Sequence, residues 1–459
     1  MNQTQVETTA NLLTAKIVAR QGDVKKFNDY YRGKEGRLRF ASDEFKEYFT
    51  KRFDGFSDNW CAVVADTTVE RIEYLGMRLD GKRKADATLE RAWERGEAKR
   101  KLGEAILMMN IAKRAYGLVW PDGRITFENP DSAAILTNHR TGKTGAGLLL
   151  AQDDKFEYGQ LFIPAARSGV EVIELQREKL ALENGERRIA PDANAWQFSN
   201  KPIKRLKFDA VPLVEMSNKA LLDNDPISDI EGVASAQDAI NLVWAYTLNA
   251  LDYLSLPGRV VMNGEKPVEE ILDEDGNVIG SRPAELDALI RDRISWLEGE
   301  GLSISEWSAG SVDGFAKIIE LAVAHVAAQT RTPAHYLLST GSNTPATGYD
   351  LAEAGLVSKV KERMTYVAPA IKELNRLVAI AGGDTKKAEQ IATGKVLWAS
   401  PQYRSEAQLV DALVKLRQIG FPLEFIAEQY GLEPKEVKRV MKMIADEQSE
   451  TEIVNFKQI

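Results

Sequence analysis

An α+β fold is what this sequence predicts, on three observations. Apolar side chains recur at helical spacing through roughly the first 110 residues. From Tyr116 to Met216 the pattern changes to short β-rich runs between turn signals. Beyond them, two long apolar helical stretches bracket a compact acidic insertion. At 459 residues the chain is long enough for about two to four structural units.

The elements follow in order. Leu13, Ile17, Val24 and Phe27 line one face of a first helix. Phe45, Tyr48, Phe49 and Phe53 mark a second, and Asn59 is placed to cap a third carrying Trp60, Val63, Val64 and Thr67. A charged helix is expected from about Ala87 to Met109, with Leu89, Trp93, Ile106 and Met109 inward and Glu97 supporting Lys101 one turn on. The β-rich runs are YGLVW, RITFEN, AAILT, GLLLAQ, YGQLFI, VEVIEL, WQFS and VPLVEM. They are separated by breaks such as Pro121-Asp122-Gly123, Asn129-Pro130 and Thr141-Gly142-Lys143, and read as a mostly antiparallel unit.

Ser228-Asp229-Ile230-Glu231 then has the form of a capping box, and the helix it opens is expected to run to Leu256, where Pro257-Gly258 stops it. Such a rod is on the order of 40 Å long. It carries Ile230, Val233, Ile240, Val243, Trp244, Tyr246, Leu248, Leu251 and Leu254 on several faces, so it must be buried in a core or between subunits. A second rod spans Val312 to Thr330, with Phe315, Ile318, Ile319, Ala322, Val323 and Val326. The insertion between the rods begins with a strand, Arg259 to Met262. A hairpin around Asp275-Gly276-Asn277, a helix near Ala284 to Arg293 and a final strand follow. Glu265 to Glu306 holds 12 acidic and 4 basic residues, a net −8, equal to the formal charge of the whole chain. After Thr332-Pro333 comes an uncharged small-residue stretch, Ser339 to Gly348, which reads as a loop. A third long helix runs from about Tyr349 to Ala379, Lys395 to Trp398 is a short strand, and helices from about Ser405 to Ile444 end in a polar tail.

Composition excludes several function classes. The hydrophobic fraction is 44% and the charged fraction 28%, as in a packed globular protein. The single cysteine, Cys61, rules out an internal disulfide framework and sits in an apolar run that reads as core. MNQTQVETTA lacks the basic and apolar regions of a signal peptide. The uncharged stretch Ala239 to Leu251 falls short of the roughly 18 to 20 residues of a membrane span, so a soluble chain is expected. A net charge of −8 argues against a tight grip on DNA phosphates.

Motifs with chemical meaning do not survive their spacing requirements. Gly142-Lys143-Thr144 lacks the earlier glycine of a phosphate-binding loop, since Thr137 stands there, and a hairpin turn is the better reading. Asp273 to Asn277 hints at a calcium loop, but its sixth position is Val278 rather than glycine. His139, His325 and His335 form no metal-ligand pair, and His325, on the second rod, reads as a packed or interface residue. No catalytic residue, metal ligand or cofactor site is expected. The strongest competing signal is FIAEQYGLEPKEVKRVMK, where Ala427, Gly431 and Val437 have helix-turn-helix spacing and Lys435, Lys438, Arg439 and Lys442 decorate the second helix. It suggests an alternative, a DNA-binding regulator. Against it, residues 402–459 hold 8 basic and 10 acidic groups, net −2, which is no basic footprint.

Five stretches, in order along the chain, carry a family resemblance. They are Tyr30-Tyr31-Arg32-Gly33-Lys34; Asn59 to Arg71; Ala115 to Pro121 with Glu128-Asn129-Pro130; Asp229-Ile230-Glu231 with Gln237 to Asn241; and Thr332 to Leu337. Together they resemble the siphophage-type portal proteins of tailed bacteriophages, especially those of phages infecting actinobacteria. The resemblance covers about residues 27 to 440 and rests on collinearity rather than on any one motif. One departure is Thr347-Gly348-Tyr349-Asp350, where relatives often have Ser-Gly followed by Glu-Ala.

The resemblance implies a ring, usually of twelve subunits, at one capsid vertex, through which DNA is packaged and ejected. It implies a wing at residues 1–227, stem helices at 228–257 and 312–331, and a clip at 258–311. It places a tunnel-loop region at 332–348, a long wing helix and strand at 349–400, and a crown at 401–459. Ser339, Thr340, Ser342, Asn343, Thr344 and Thr347 would face the DNA. Ile240, Val243, Trp244, Leu251, Phe315, Ile319 and Val323 would form the stem interface between subunits. Glu269, Glu270, Asp273 and Trp296 would meet the motor or adaptor. The implied partners are further copies of the chain, double-stranded DNA, the terminase large subunit, a head–tail adaptor, and the major capsid and scaffolding proteins. No membrane and no cofactor are implied. ATP hydrolysis would belong to the terminase, assembly to the host cytoplasm, and the final location to the portal vertex of the virion.

Overall fold

Helices and sheets alternate along the chain, largely in the order the sequence predicts, in a computed structural model that describes residues 3–34, 38–53, 56–82, 84–138, 140–178, 196–198, 203–220, 222, 225–255, 259–262, 268–272, 278–283, 294–297, 303–306, 312–337, 346–402 and 406–456. The class is mixed α+β with mainly antiparallel sheets. The chain divides into two units. One comprises residues 1–34, 59–234 and 326–459, the other residues 35–58 and 235–325.

The larger unit has two cores. In the first, α1 (Gln3–Arg32) lies on a sheet of β4 (Ala133–Thr137), β5 (Thr144–Gln152), β6 (Phe156–Pro164), β7 (Val170–Glu178) and β8 (Gln197–Phe198), with β9 (Lys204–Leu206) also paired to β7. Val6, Ala10, Leu13 and Ile17, at helical spacing, meet Ala146, Leu148, Leu161, Ile163 and Leu175 of the strands. Trp196 closes this core and donates from Nε1 to the buried Thr14 hydroxyl at 3.2 Å. Asp153 shapes the β5–β6 hairpin by accepting from the amides of Lys155 (2.8 Å) and Phe156 (2.7 Å).

The second core gathers residues from distant parts of the sequence. α4 (Ala87–Glu94) and α5 (Ala98–Ala112) pack with the sheet β10-β2-β3, whose strands are Leu213–Ser217, Arg114–Val119 and Ile125–Glu128. The middle of α9 (Ala346–Ala381) covers the same sheet with Val367, Ile371, Leu374 and Val378. The approach is close: a Cβ on Gly117 would lie 2.9 Å from both terminal methyls of Leu374, so a larger residue there would force that side chain to move. β1 (Tyr74–Arg78) pairs antiparallel with β16 (Lys395–Trp398) beside this core. Buried Asn375 accepts from Trp93 Nε1 at 2.9 Å and donates to Tyr74 Oη at 3.2 Å and Ile371 O at 2.8 Å, joining helix, strand and core. α3 (Trp60–Val69) starts as predicted, Asn59 accepting from Ala62 N at 3.4 Å. Cys61 is buried.

In the smaller unit, α2 (Asp43–Arg52) packs its aromatic face on α6 (Ala234–Ser255). The unit also holds the sheet β14-β11-β15 (Ile294–Leu297, Arg259–Met262, Ser303–Glu306) and the hairpin β12–β13 (Val268–Leu272, Val278–Pro283). The strands flanking 273–277 therefore form the expected hairpin, while Asp275-Gly276-Asn277 and the helix expected near Ala284 to Arg293 lie outside the described residues. The unit boundary falls within α7 (Asp313–Thr330), between His325 and Val326.

The structure corrects several expectations. The helix expected from Ala87 to Met109 breaks at Gly96, which sits at φ 64°, followed by Glu97 at φ 59°. Glu97 then pairs with Arg100 at 2.8 Å instead of Lys101. The capping box closes in one half only: Glu231 accepts from Ser228 N at 3.4 Å, but Ser228 Oγ accepts from Ile230 N at 3.3 Å rather than from Glu231 N. However, it closes a run of turns, and the helix begins six residues later at Ala234. The Ser228 hydroxyl is committed to the Ile111 carbonyl at 2.6 Å, and Gly232 is a poor helix former. β1 was not anticipated in a stretch read as helical. The tail after Ile444 is helical too, within α13 (Pro434–Phe456). As expected, Arg140 to Thr144 forms a hairpin turn: Asn138 donates to the Lys143 carbonyl at 2.8 Å and Gly142 is at φ 67°.

Candidate functional site

Among the described residues, the candidate features are surfaces. Among the described residues, no cluster of His, Cys, Asp and Glu is placed to hold a metal ion, and no helix is long and apolar enough to cross a membrane. A cleft of about 650 Å³ opens between the β10 edge and α9. Most of its charged groups are paired: Arg376 binds Asp209 (2.5 Å) and Glu373 (2.7 Å), and Glu215 binds Arg114 (3.1 Å).

The first rod, α6, presents different faces to different neighbours within its unit. Leu242, Ala245 and Leu248 meet Leu38, Ala41, Phe45 and Phe49. Trp244 stacks edge-on with Phe56 at 5.8 Å and donates to Asp58 Oδ2 at 2.7 Å. Of the residues expected at a subunit interface, Ile240 is fully buried within the chain, Val243 and Trp244 are half-buried, and Leu251 is 39% exposed. Tyr246, five residues earlier, is exposed too. On the second rod, α7, Val323 is buried and Phe315 and Ile319 are half-buried. Ile318 (52%) and Leu321 (58%) are exposed, and with His325, also exposed, they follow helical spacing along one face.

The acidic insertion exposes a hairpin on which Glu269 faces Arg282 in register and pairs with it at 2.7 Å. Val268, Ile271, Val278 and Ile279 on the same hairpin are exposed. Glu270 lies on β12 and Trp296 on β14, and Asp273 lies outside the described residues. Of the loop candidates, Ser339, Thr340, Ser342, Asn343 and Thr344 lie outside the described residues, as does His139. Thr347 falls in the first turn of α9.

Two ionic clusters were not visible in the sequence because their members are far apart in it. In the first, Asp229 accepts from Arg363 Nη2 at 2.5 Å and Asn218 Nδ2 at 2.9 Å, with Lys359 Nζ 3.4 Å away. All three charged side chains are almost fully buried. Burial works to raise the Asp229 carboxyl, but Lys359 and Arg363 outweigh it and hold it below the usual carboxylate range. Burial lowers Lys359 despite Asp229. In the second, Arg71 forks onto Glu353 at 2.9 and 3.0 Å, and Tyr336 donates to the same carboxylate at 2.9 Å. Burial acts to raise Glu353, and the bonds from Arg71 and Tyr336 hold it low.

The helix pair suggested by Ala427, Gly431 and Val437 does form. α12 (Leu423–Tyr430) ends at Gly431 with φ 102°, and Ala427 and Val437 are buried. Lys435 of the second helix is bound to Glu94, and Glu433 to Lys99, so this face is partly used within the chain.

Comparison with known proteins places these features in context. A family model described as "Phage portal protein, SPP1 Gp6-like" matches residues 14–453. No curated protein sequence matches the chain. Among solved structures, one similar chain comes from the neck of a native GTA particle computed with C12 symmetry. It is 14% identical with a TM-score of 0.41, over 85% of this chain and 94% of that one. Another, from the neck of an empty GTA particle computed with C6 symmetry, is 13% identical with a TM-score of 0.44, over 86% and 92%.

Proposed function

The chain belongs to the SPP1 Gp6-like phage portal protein family, a structural component of the virion and not an enzyme, and from that premise we propose that it is one subunit of a ring at a single capsid vertex. The ring is the channel for DNA entering during packaging and leaving at ejection. It docks the terminase large subunit and later a head–tail adaptor through the acidic insertion, and sits among the capsid and scaffolding proteins. Twelve subunits is our expectation.

One observation carries this reading. Both rods keep large apolar side chains exposed in the single chain, Tyr246 and Leu251 on α6 and Ile318 and Leu321 on α7. Fully burying each such side chain contributes about 1.5–3 kcal/mol, and in a closed ring every subunit makes the same contact twice. The charge supports a conduit. The insertion carries the net −8, and a wall that is acidic or neutral repels phosphates and lets a duplex slide rather than stick.

The test is the oligomeric state. Negative-stain images of the purified protein, and of virions where the isolated chain stays monomeric, are expected to contain rings with a central hole. A dimer in solution together with virions lacking the chain at the portal vertex would refute the proposal and favour the DNA-binding regulator.

A further inference from the structure

Four separate segments meet at one guanidinium. Arg71 stands two residues beyond α3. Its Nη1 and Nη2 donate to Glu353 Oε2 and Oε1 at 3.0 and 2.9 Å. Nη2 also donates to the Tyr336 hydroxyl, which in turn donates to Glu353 Oε1, and the guanidinium carbon lies 5.9 Å from the Tyr336 ring centroid. Nη1 reaches the Pro401 carbonyl at 3.3 Å. The Arg71 and Glu353 side chains are only 14% and 15% exposed, so water competes weakly for these bonds.

The placement matters more than the strength. Tyr336 belongs to α8 (Ala334–Leu337), immediately before residues 338–345, and Glu353 to α9, which follows them. One side chain therefore joins the two chain ends between which that segment is strung. A second ion pair, Arg331–Glu362 at 3.0 Å, ties the link between α7 and α8 to α9 further from those ends. Pro401 leads towards the helices of the C-terminal region, α11 (Glu406–Gln418) onward.

We propose that Arg71 is a positioning residue that fixes the separation of the two roots of segment 338–345 and ties them to the start of the C-terminal helices. Its consequence for DNA rests on the reading of that segment as the tunnel loop. Loosening the two roots would shift where the intervening segment starts and ends, and with it any contact it makes with a duplex. Only arginine presents a planar fork that holds a carboxylate at two points while reaching a carbonyl and a phenol.

Spin labels at Ala334→Cys and Ala354→Cys report the root separation directly, in labelled chains diluted into unlabelled ones. Cys61 is the single native cysteine and is buried, so it stays unlabelled. Arg71→Met is expected to broaden the distance distribution, Arg71→Lys to broaden it less, and Glu353→Gln to broaden it from the other side. The charge swap Arg71→Glu with Glu353→Arg is expected to narrow it again, which a general loss of packing would not allow. If Arg71→Met does not fold, Arg71→Lys and Glu353→Gln decide the matter. Unchanged distributions in the folded variants would overturn the proposal. Heads built with Arg71→Met are expected to protect less DNA from nuclease. Broadened roots with wild-type protection would leave the clamp standing and remove the tunnel assignment of 338–345.

Discussion

Asp229 is a buried carboxylate whose charge is held by two cations distant in sequence. It lies in the turns that precede α6 and, among the described residues, is the carboxylate paired with both Lys359 and Arg363, 134 positions from the latter. Arg363 also keeps Nε and Nη1 buried without a protein partner, so the site is already rich in positive charge. Asp229→Asn would leave two buried cations facing a neutral amide, at a cost of about 3–5 kcal/mol. Urea unfolding at neutral pH measures it, and near-wild-type stability would mean that Asp229 does not neutralise these cations. The pH dependence has a definite sign. The folded-state pKa of Asp229 is lowered from 3.8, so its contribution is fully present above 3.8 and is lost as pH falls through the lower folded value. That part of the acid limb should disappear in the Asn variant. The sequence displayed Ser228 and Glu231 as a local capping pattern because their partners are three residues apart. The role of Asp229, and of Arg71 at Glu353, was not legible because no local pattern encodes a contact made across hundreds of residues.

Elements were legible in proportion to how local their cause is. All eight β-rich runs between Tyr116 and Met216 contain strand, because alternation and turn residues act over a few positions. The rods and the third long helix appear for the same reason. β1 was missed because its pairing partner, β16, lies some three hundred residues later and nothing in Tyr74–Arg78 alone outweighs the surrounding helical signal. The apolar faces of α6 read as buried in the sequence; α2 and the Phe56–Asp58 segment cover part of them within the chain, while Tyr246 and Leu251 stay exposed. That distinction sharpens a test of assembly. Leu251 is 39% exposed, so Leu251→Asp is expected to leave the isolated chain folded, with a change within about 0.5 kcal/mol. In a ring the same carboxylate would be buried at every interface at several kcal/mol each, and assembly is expected to fail. Ile318→Asp on α7 makes the parallel case. Circular dichroism with light scattering separates the two effects, and rings from both variants would show that these faces do not meet a neighbour.

At the scale of the whole molecule, the proposed conduit would hold DNA without gripping it, and the distribution of charge suits that reading. The net −8 sits in the insertion between the rods, and the stretch from Ser339 to Gly348 carries no charge at all. We propose that this stretch faces the duplex and touches it loosely, through hydroxyl and amide groups. Few phosphate contacts mean little counterion release, so affinity for free DNA is expected to be low even at low salt, with a shallow salt slope. Deleting Ser342 to Ala346 is expected to spare ring assembly, because the rods and the Arg71 clamp lie outside the deletion, while reducing the genome retained in heads. Inserting several lysines there acts in the opposite sense. Each new phosphate contact must break before the duplex can advance, so packaging slows and the salt slope steepens. Heads assembled with each variant are compared by the DNA they protect from nuclease. Reduced protection in both, from lost contact in one and excess contact in the other, is the pattern a conduit produces. Wild-type protection in both would place the stretch away from the DNA path.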